Sequence, residues 1–321
     1  MTKNRHICIG INCWILTRKV RKYLNIMFEK LIISFMKKGI FILIIGFIVL
    51  TSSCSLFDRP EQIPAYIHID SFVLQGNYDT SGSLSKTISD VWIIIDDELI
   101  GCFELPATVP LLKSGNHKLY LKAGVKENGI ANTRIPYPFY QYFVANHQFV
   151  ADKIDTFNPE ISYLTTKTKM VFNEDFEGGN ILFDPANINN AVLERTSNKV
   201  EVFEGKYSYK ASLPVKDDIF ALDGEEIYDL PRNKSVFIEM NFKTDVILTI
   251  GYKAIGPSST VSHNLINLNP TKKWKKIYIN FGSELLYIGK ENYIQFVIGA
   301  VNTNTDTAKI YLDNIKLFSF Y

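Results

Sequence analysis

Trp274-Lys275-Lys276-Ile277-Tyr278-Ile279-Asn280-Phe281 is the stretch on which the fold class turns. Ile277, Ile279 and Phe281 recur at every second residue, which sets them on one side of an extended strand, because successive strand side chains point to opposite faces. Trp274 opens the same strand and reads as partly core. The signature spreads outward from there. Val91-Trp92-Ile93-Ile94-Ile95 and Leu99 to Leu105 are separated by Asp96-Asp97-Glu98, acidic turn residues that predict a β-hairpin. Tyr66 to Leu74, His117 to Ala123, Lys206 to Leu213, Ser235 to Thr244, Val246 to Tyr252, Tyr293 to Val301 and Ala308 to Leu317 add further short runs rich in Tyr, Phe, Ile, Val and Thr. No 3.6-residue periodicity stands out in residues 54–321. Strands that each bury one face predict an all-β protein of two consecutive antiparallel β-sandwich domains.

Ahead of these strands lies Met36 to Cys54, MKKGIFILIIGFIVLTSSC. Lys37 and Lys38 precede an apolar run, Gly39 to Leu50, and small residues Thr51, Ser52 and Ser53 precede Cys54; a basic region, a short apolar region and small residues are what export and cleavage require. Such a run makes a helix of about 18 Å, short of the roughly 30 Å hydrocarbon core, so it is a poor membrane span. The segment resembles a bacterial lipoprotein signal of the kind cut by signal peptidase II, with Thr51 where Leu is usual. That resemblance implies a lipid on Cys54 and a chain held in the outer membrane of a Gram-negative bacterium, on either face. Residues 1–35 are expected to be an over-long gene start, 36–53 the signal peptide and 54–64 a short tether containing Pro60 and Pro64.

Residues 54–321 hold 26 of the 35 basic and 32 of the 33 acidic side chains, a formal balance of about −6. An acidic chain without a concentrated basic face argues against nucleic acid as partner. With Cys54 committed to lipid, Cys102 has no partner, so neither a disulfide framework nor a structural zinc site is expected. Cys102 sits in an apolar strand pattern and reads as an inert thiol. Serine-hydrolase, zinc-protease and phosphate-loop signatures are absent, and the acidic pairs Asp217-Asp218 and Glu225-Glu226 look like loop charges; no enzyme is expected.

The first domain spans 65–160. Its Asp96-Asp97-Glu98-Leu99-Ile100-Gly101, Glu104-Leu105-Pro106-Ala107, Gly115-Asn116-His117 and Tyr137-Pro138-Phe139-Tyr140 resemble a family of uncharacterised envelope lipoproteins with a PEGA-like β-sandwich. The second spans 169–321. Its opening Glu174-Asp175-Phe176-Glu177, the Lys206 to Leu213 run, the Trp274 to Phe281 strand and the closing Ile310 to Leu317 resemble the galactose-binding-like jelly roll of many carbohydrate-binding modules. That resemblance implies glycan as ligand and a structural calcium held by Asp175, Glu177 and Asp313.

Sugar binding calls for exposed rings that pack on a pyranose, rimmed by amides and carboxylates. Tyr252, His263, Tyr287 and Tyr293 are the loop candidates, with Asn302, Asn304 and Asp306 as polar partners; for each ring the competing reading is core or edge strand. The rival role is a structural subunit of an outer-membrane assembly, docking through sheet edges or through the aromatic segment Tyr137 to Phe143 if its rings are exposed; if they are not, the ring-rich run Ile135 to Phe143 plugs a core.

Overall fold

The computed structural model describes residues 9–51, 61–227, 229–289 and 292–321. Residues 9–51 form helix α1 (Ile9–Thr51), part of a compact unit distinct from the β unit that runs from Ile63 to Tyr321. Among the described residues no helix is long and apolar enough to cross a membrane. Cys54 and most of the expected tether lie outside the described residues.

The first sandwich contains β1 (Ala65–Ile69), β2 (Val73–Gln75), β3 (Asp90–Ile95), β4 (Glu98–Glu104), β5 (Ala107–Leu111), β6 (Gly115–Lys126), β7 (Arg134–Pro136), β8 (Phe143–Phe149), β9 (Ile154–Phe157) and β10 (Glu160–Ser162), with one short helix, α2 (Tyr78–Ser81). One sheet has the order β5-β1-β9, a second runs β4-β3-β6-β7 with β8 also on β6, and β2 and β10 form a two-stranded third. The β3–β4 hairpin turns through Asp96 and Asp97, both at positive φ, as the acidic turn predicts. Against a purely antiparallel expectation, β1–β9 and β2–β10 pair in parallel. The long chain between the members of each pair supplies the crossover that parallel pairing needs.

The second sandwich contains β11 (Thr168–Glu174), β12 (Phe183–Pro185), β13 (Val192–Thr196), β14 (Ser208–Leu213), β15 (Ile219–Ile227), β16 (Val236–Thr244), β17 (Leu248–Ile255), β18 (Thr260–Leu268), β19 (Thr271–Asn280), β20 (Tyr293–Val301) and β21 (Ala308–Phe320). A sheet ordered β13-β14-β21-β16-β19, with β11 also beside β21, faces one ordered β12-β15-β20-β17-β18. The first half of β21 pairs with β14 and the second half with β11, while β16 lies along its other side. This is a jelly-roll-like sandwich whose core includes Phe220, Ile250, Ile279, Phe281, Phe296 and Leu312.

β16 and β21 are buried at almost every residue, not at every second one. Their inward side chains fill the second core, and Phe237 and Phe318, with Tyr278 of β19, face outward into the core of the first sandwich. Tyr137, Phe139 and Tyr140 meet them there, all buried, with Tyr137 edge-on to Phe237 and Tyr278. Tyr137, Phe139 and Tyr140 are therefore a plug between the two sandwiches and not an exposed docking patch, while Tyr142 in the same segment is half-exposed. The chain after α2 lies over the same sheet: Ser85 Oγ donates to Asn241 Oδ1 at 2.9 Å and the Thr87 amide to the Tyr278 hydroxyl at 3.1 Å.

Candidate functional site: a polar groove on the second sandwich

With one sheet of the second sandwich covered by the first, the β12-β15-β20-β17-β18 sheet is the one with an open face. Strand alternation sorts its residues: Phe220, Leu222, Ile250, Tyr252, Phe296 and Ile298 turn inward, so Ala221, Asp223, Thr249, Lys253, Val297 and Gly299 turn outward. A groove of about 360 Å³ crosses this outward face. Its floor is made of the small residues Ala221 and Gly299 with Val297, and its polar groups are Asp223, Lys253, Thr249, Asn264 and Asn187.

Three of these polar groups have side-chain partners. Lys253 Nζ reaches across β20 to Asp223 Oδ1 at 2.7 Å, both side chains about a quarter exposed. Thr249 Oγ1 donates to Asn267 Oδ1 at 2.8 Å, and Gln295 Nε2 donates to the Gly224 carbonyl at 3.0 Å. The rim bearing Asn187 and the exposed Ile188 is tied down by its neighbours: Asn189 Oδ1 accepts from the Ala221 amide and Asn190 Oδ1 from the Ile219 amide. β18 bulges against β17 at Gly251, where a Cβ would lie 2.5 Å from the His263 carbonyl oxygen, so the site needs glycine. The result is a shallow cleft with both charges, amides and a hydroxyl over an apolar floor.

The residues singled out from sequence do not converge. Tyr252 is buried, stacked on His263 at 4.9 Å, and its hydroxyl donates to Glu284 Oε2 at 3.2 Å; burial first, then Glu284, pushes the phenol up to about 12. It is a core residue and not a sugar platform, and His263 is its partner on edge strand β18. Tyr287 is 85% exposed just after a 3₁₀ turn, Glu284–Leu286. Tyr293 begins β20, and its phenol is raised by desolvation and by a hydrogen bond with Glu226. Asn302 is fully buried and clamps its loop: Nδ2 donates to the carbonyls of Leu213, Val215 and Asp306, and Oδ1 accepts from the Asn304 amide. Asn304 and Asp306 are exposed in that loop, beyond the far end of β20 from Tyr293, about 26 Å away at 3.3 Å per residue. One sugar cannot touch both ends.

The carboxylates assigned to calcium are likewise engaged apart. Asp175 accepts from the Tyr78 hydroxyl and the Glu177 amide. Glu177 Oε1 accepts from the amides of Lys206 and Tyr207, closing a turn. Asp313, 1% exposed, accepts from Ser208 Oγ and the Asn314 amide, and burial pushes its carboxyl up to about 7. Among the described residues no group of three or more His, Cys, Asp or Glu side chains is arranged to hold a metal. Cys102 is half-buried, and burial, then Asp90, raises its thiol, in keeping with an inert role.

Sequence reasoning missed Asp223, Lys253 and Asn264, because strand-borne polar residues look alike whether they line a cleft or face open water. Only the register of β15, β20, β17 and β18 brings them together.

No family model matches the sequence, and neither does any curated protein. Solved structures do. A carbohydrate-binding module of the β-sandwich superfamily matches at 14% identity and a TM-score of 0.39, over 80% of this chain and 99% of that one. The CBM22-1 xylan-binding domain of Paenibacillus barcinonensis Xyn10C matches at 14% identity and 0.36, over 47% and 94%. A family 11 carbohydrate-binding module from a Clostridium thermocellum cellulosomal cellulase matches at 19% and 0.33, over 47% and 93%. With TM-scores below 0.5, these likenesses carry no argument about ligand or activity.

Proposed function

We propose that the chain is a non-catalytic, lipid-anchored envelope protein that recognises glycan through the groove on its second sandwich. One observation supports the reading most: Asp223, Lys253, Thr249, Asn264 and Asn187 converge on one cleft, of a size suited to a small ligand or a few sugar units. Donors and acceptors of both charge types over an apolar floor suit a molecule covered in hydroxyls with an apolar ring face. No aromatic ring lines the groove, so hydrogen bonds would dominate affinity there. Isothermal titration against plant, host and envelope polysaccharides tests this. Asp223→Ala or Lys253→Ala is expected to weaken binding by roughly tenfold or more, since a hydrogen bond to a charged group is worth about 1.5–3 kcal/mol. Silence across the panel, or variants that bind like the parent, would sink it.

Membrane placement rests on the lipoprotein-like segment ending at Cys54. Radiolabelled palmitate is expected to enter the parent and not Cys54→Ser, and globomycin is expected to leave the leader attached. An unlabelled product that fractionates as soluble would refute the anchor. The structural-subunit reading loses its main support, because the rings of Tyr137, Phe139 and Tyr140 are buried.

A further inference from the structure

The β5-β1-β9 sheet of the first sandwich changes character along its outward face. At one end, His68 stands between Thr108 and Thr156, and the His68 ring bonds the Thr108 hydroxyl at 2.8 Å. That end is polar, as the wet face of a sheet normally is. Two residues back, Tyr66 stands between Pro110 and Ile154, and beyond them come Leu112, Pro64 and Ile63. Ile63 is 65% exposed, Leu112 66% and Ile154 60%. Large apolar side chains that are exposed singly are ordinary; several gathered on one end of one sheet are not. Lys113 and Lys153 flank this end, paired to Glu98 and Asp155.

The apolar end is also where the chain enters the β unit. Ile63 follows Cys54 by nine residues, a reach of at most about 30 Å fully extended. We propose that this end of the first sandwich rests on the lipid bilayer, with Ile63, Leu112 and Ile154 seated among the headgroups and the two lysines beside them. The inference rests on the membrane placement proposed for Cys54. It adds a second contact, one that orients the sandwich with His68, Thr108 and Thr156 away from the membrane. Apolar side chains at such an interface sit at the boundary of headgroups and acyl chains.

Indole quenching tests it. The full chain is reconstituted in phosphatidylethanolamine–phosphatidylglycerol vesicles, with or without acyl chains brominated next to the headgroup. Three exposed positions are compared with the parent: Leu112→Trp, Ile154→Trp and, on the polar end, Thr156→Trp. The emission added by the first two is expected to fall about twofold in brominated vesicles, as for side chains 5–10 Å into the interface, while that of the third is unchanged. A chain that floats with the vesicles but shows no quenching at 112 and 154 overturns the contact and leaves the anchor standing. Equal quenching at all three positions overturns the orientation. A chain that fails to float overturns both anchor and contact. Shielding of positions 112 and 154 by a co-purifying protein, without lipid quenching, replaces the bilayer with a protein partner.

Discussion

Glu239 is fully buried on β16, with Lys276 Nζ at 2.6 Å and Lys316 Nζ at 3.2 Å from the same oxygen. Tyr137 and Tyr163 donate hydroxyl bonds to it, and Lys316 also donates to the carbonyls of Ser81 and Ser83. Burial works against the ionised carboxyl, but Lys276 and Lys316 outweigh it and hold Glu239 down to about 2. Lys316 is the surplus cation: burial lowers its ammonium to about 7 despite Glu239. The two groups act in opposite senses. Glu239 adds stability that is present above its ordinary 4.5 and is lost as pH falls from there toward about 2. Lys316 penalises the fold in full below about 7 and is relieved as pH rises toward 10.5. Glu239→Gln removes the anion and strands both lysines. It is expected to cost about 3–5 kcal/mol at pH 7, the usual loss when one partner of a buried ion pair is removed. Part of that should return as pH is raised toward 10, and the acid-side loss between 4.5 and 2 should shrink. Urea unfolding of parent and variant across pH reads all three; equal stability at pH 7 would show the cluster to be energetically idle.

The aromatic plug commits a whole segment to the same interface. Tyr137, Phe139 and Tyr140 are each about 1% exposed or less, and Phe139 packs on Phe237, Phe318 and Phe320. Phe139→Ala leaves a cavity that the surrounding rings cannot close, with an expected cost of about 3–5 kcal/mol. Tyr142→Ala, close by in sequence but 49% exposed, should fall within about 0.5 kcal/mol. Chemical denaturation distinguishes them, and similar losses at both would contradict the plug. Strands like these were legible beforehand: alternation marked Ile277, Ile279 and Phe281 as inward, and Asp96-Asp97 announced its hairpin. What alternation could not reveal is a strand buried on both sides. The outward residues of β16 and β21 include Glu239 and Lys316, which look solvent-facing until the first sandwich covers them. The groove was hidden for the mirror-image reason: Asp223 and Lys253 lie 30 residues apart and meet only through the order β15-β20-β17.

At the scale of the molecule, the shared sheet governs cooperativity. β16, β19 and β21 send one set of side chains into the second core, while Phe237, Tyr278 and Phe318 enter the first. Removing the first sandwich would bare those rings together with Glu239, Lys276 and Lys316, an apolar and ionic surface that water does not tolerate cheaply. Losing the second would strip the plug of its partners. Neither sandwich can therefore open without destabilising its neighbour, and the β unit should melt as one. Calorimetry of the protein is expected to show a single transition for the β strands, with calorimetric and van't Hoff enthalpies in agreement. Phe139→Ala should shift that transition as a whole to lower temperature without splitting it. Two separable transitions, with only the lower one moved by the variant, would mean that the sandwiches are independent modules on a common chain. A rigid pair has a consequence for recognition too: it fixes the groove relative to the apolar end of the first sandwich, so orientation at a membrane would set the direction in which the groove presents itself.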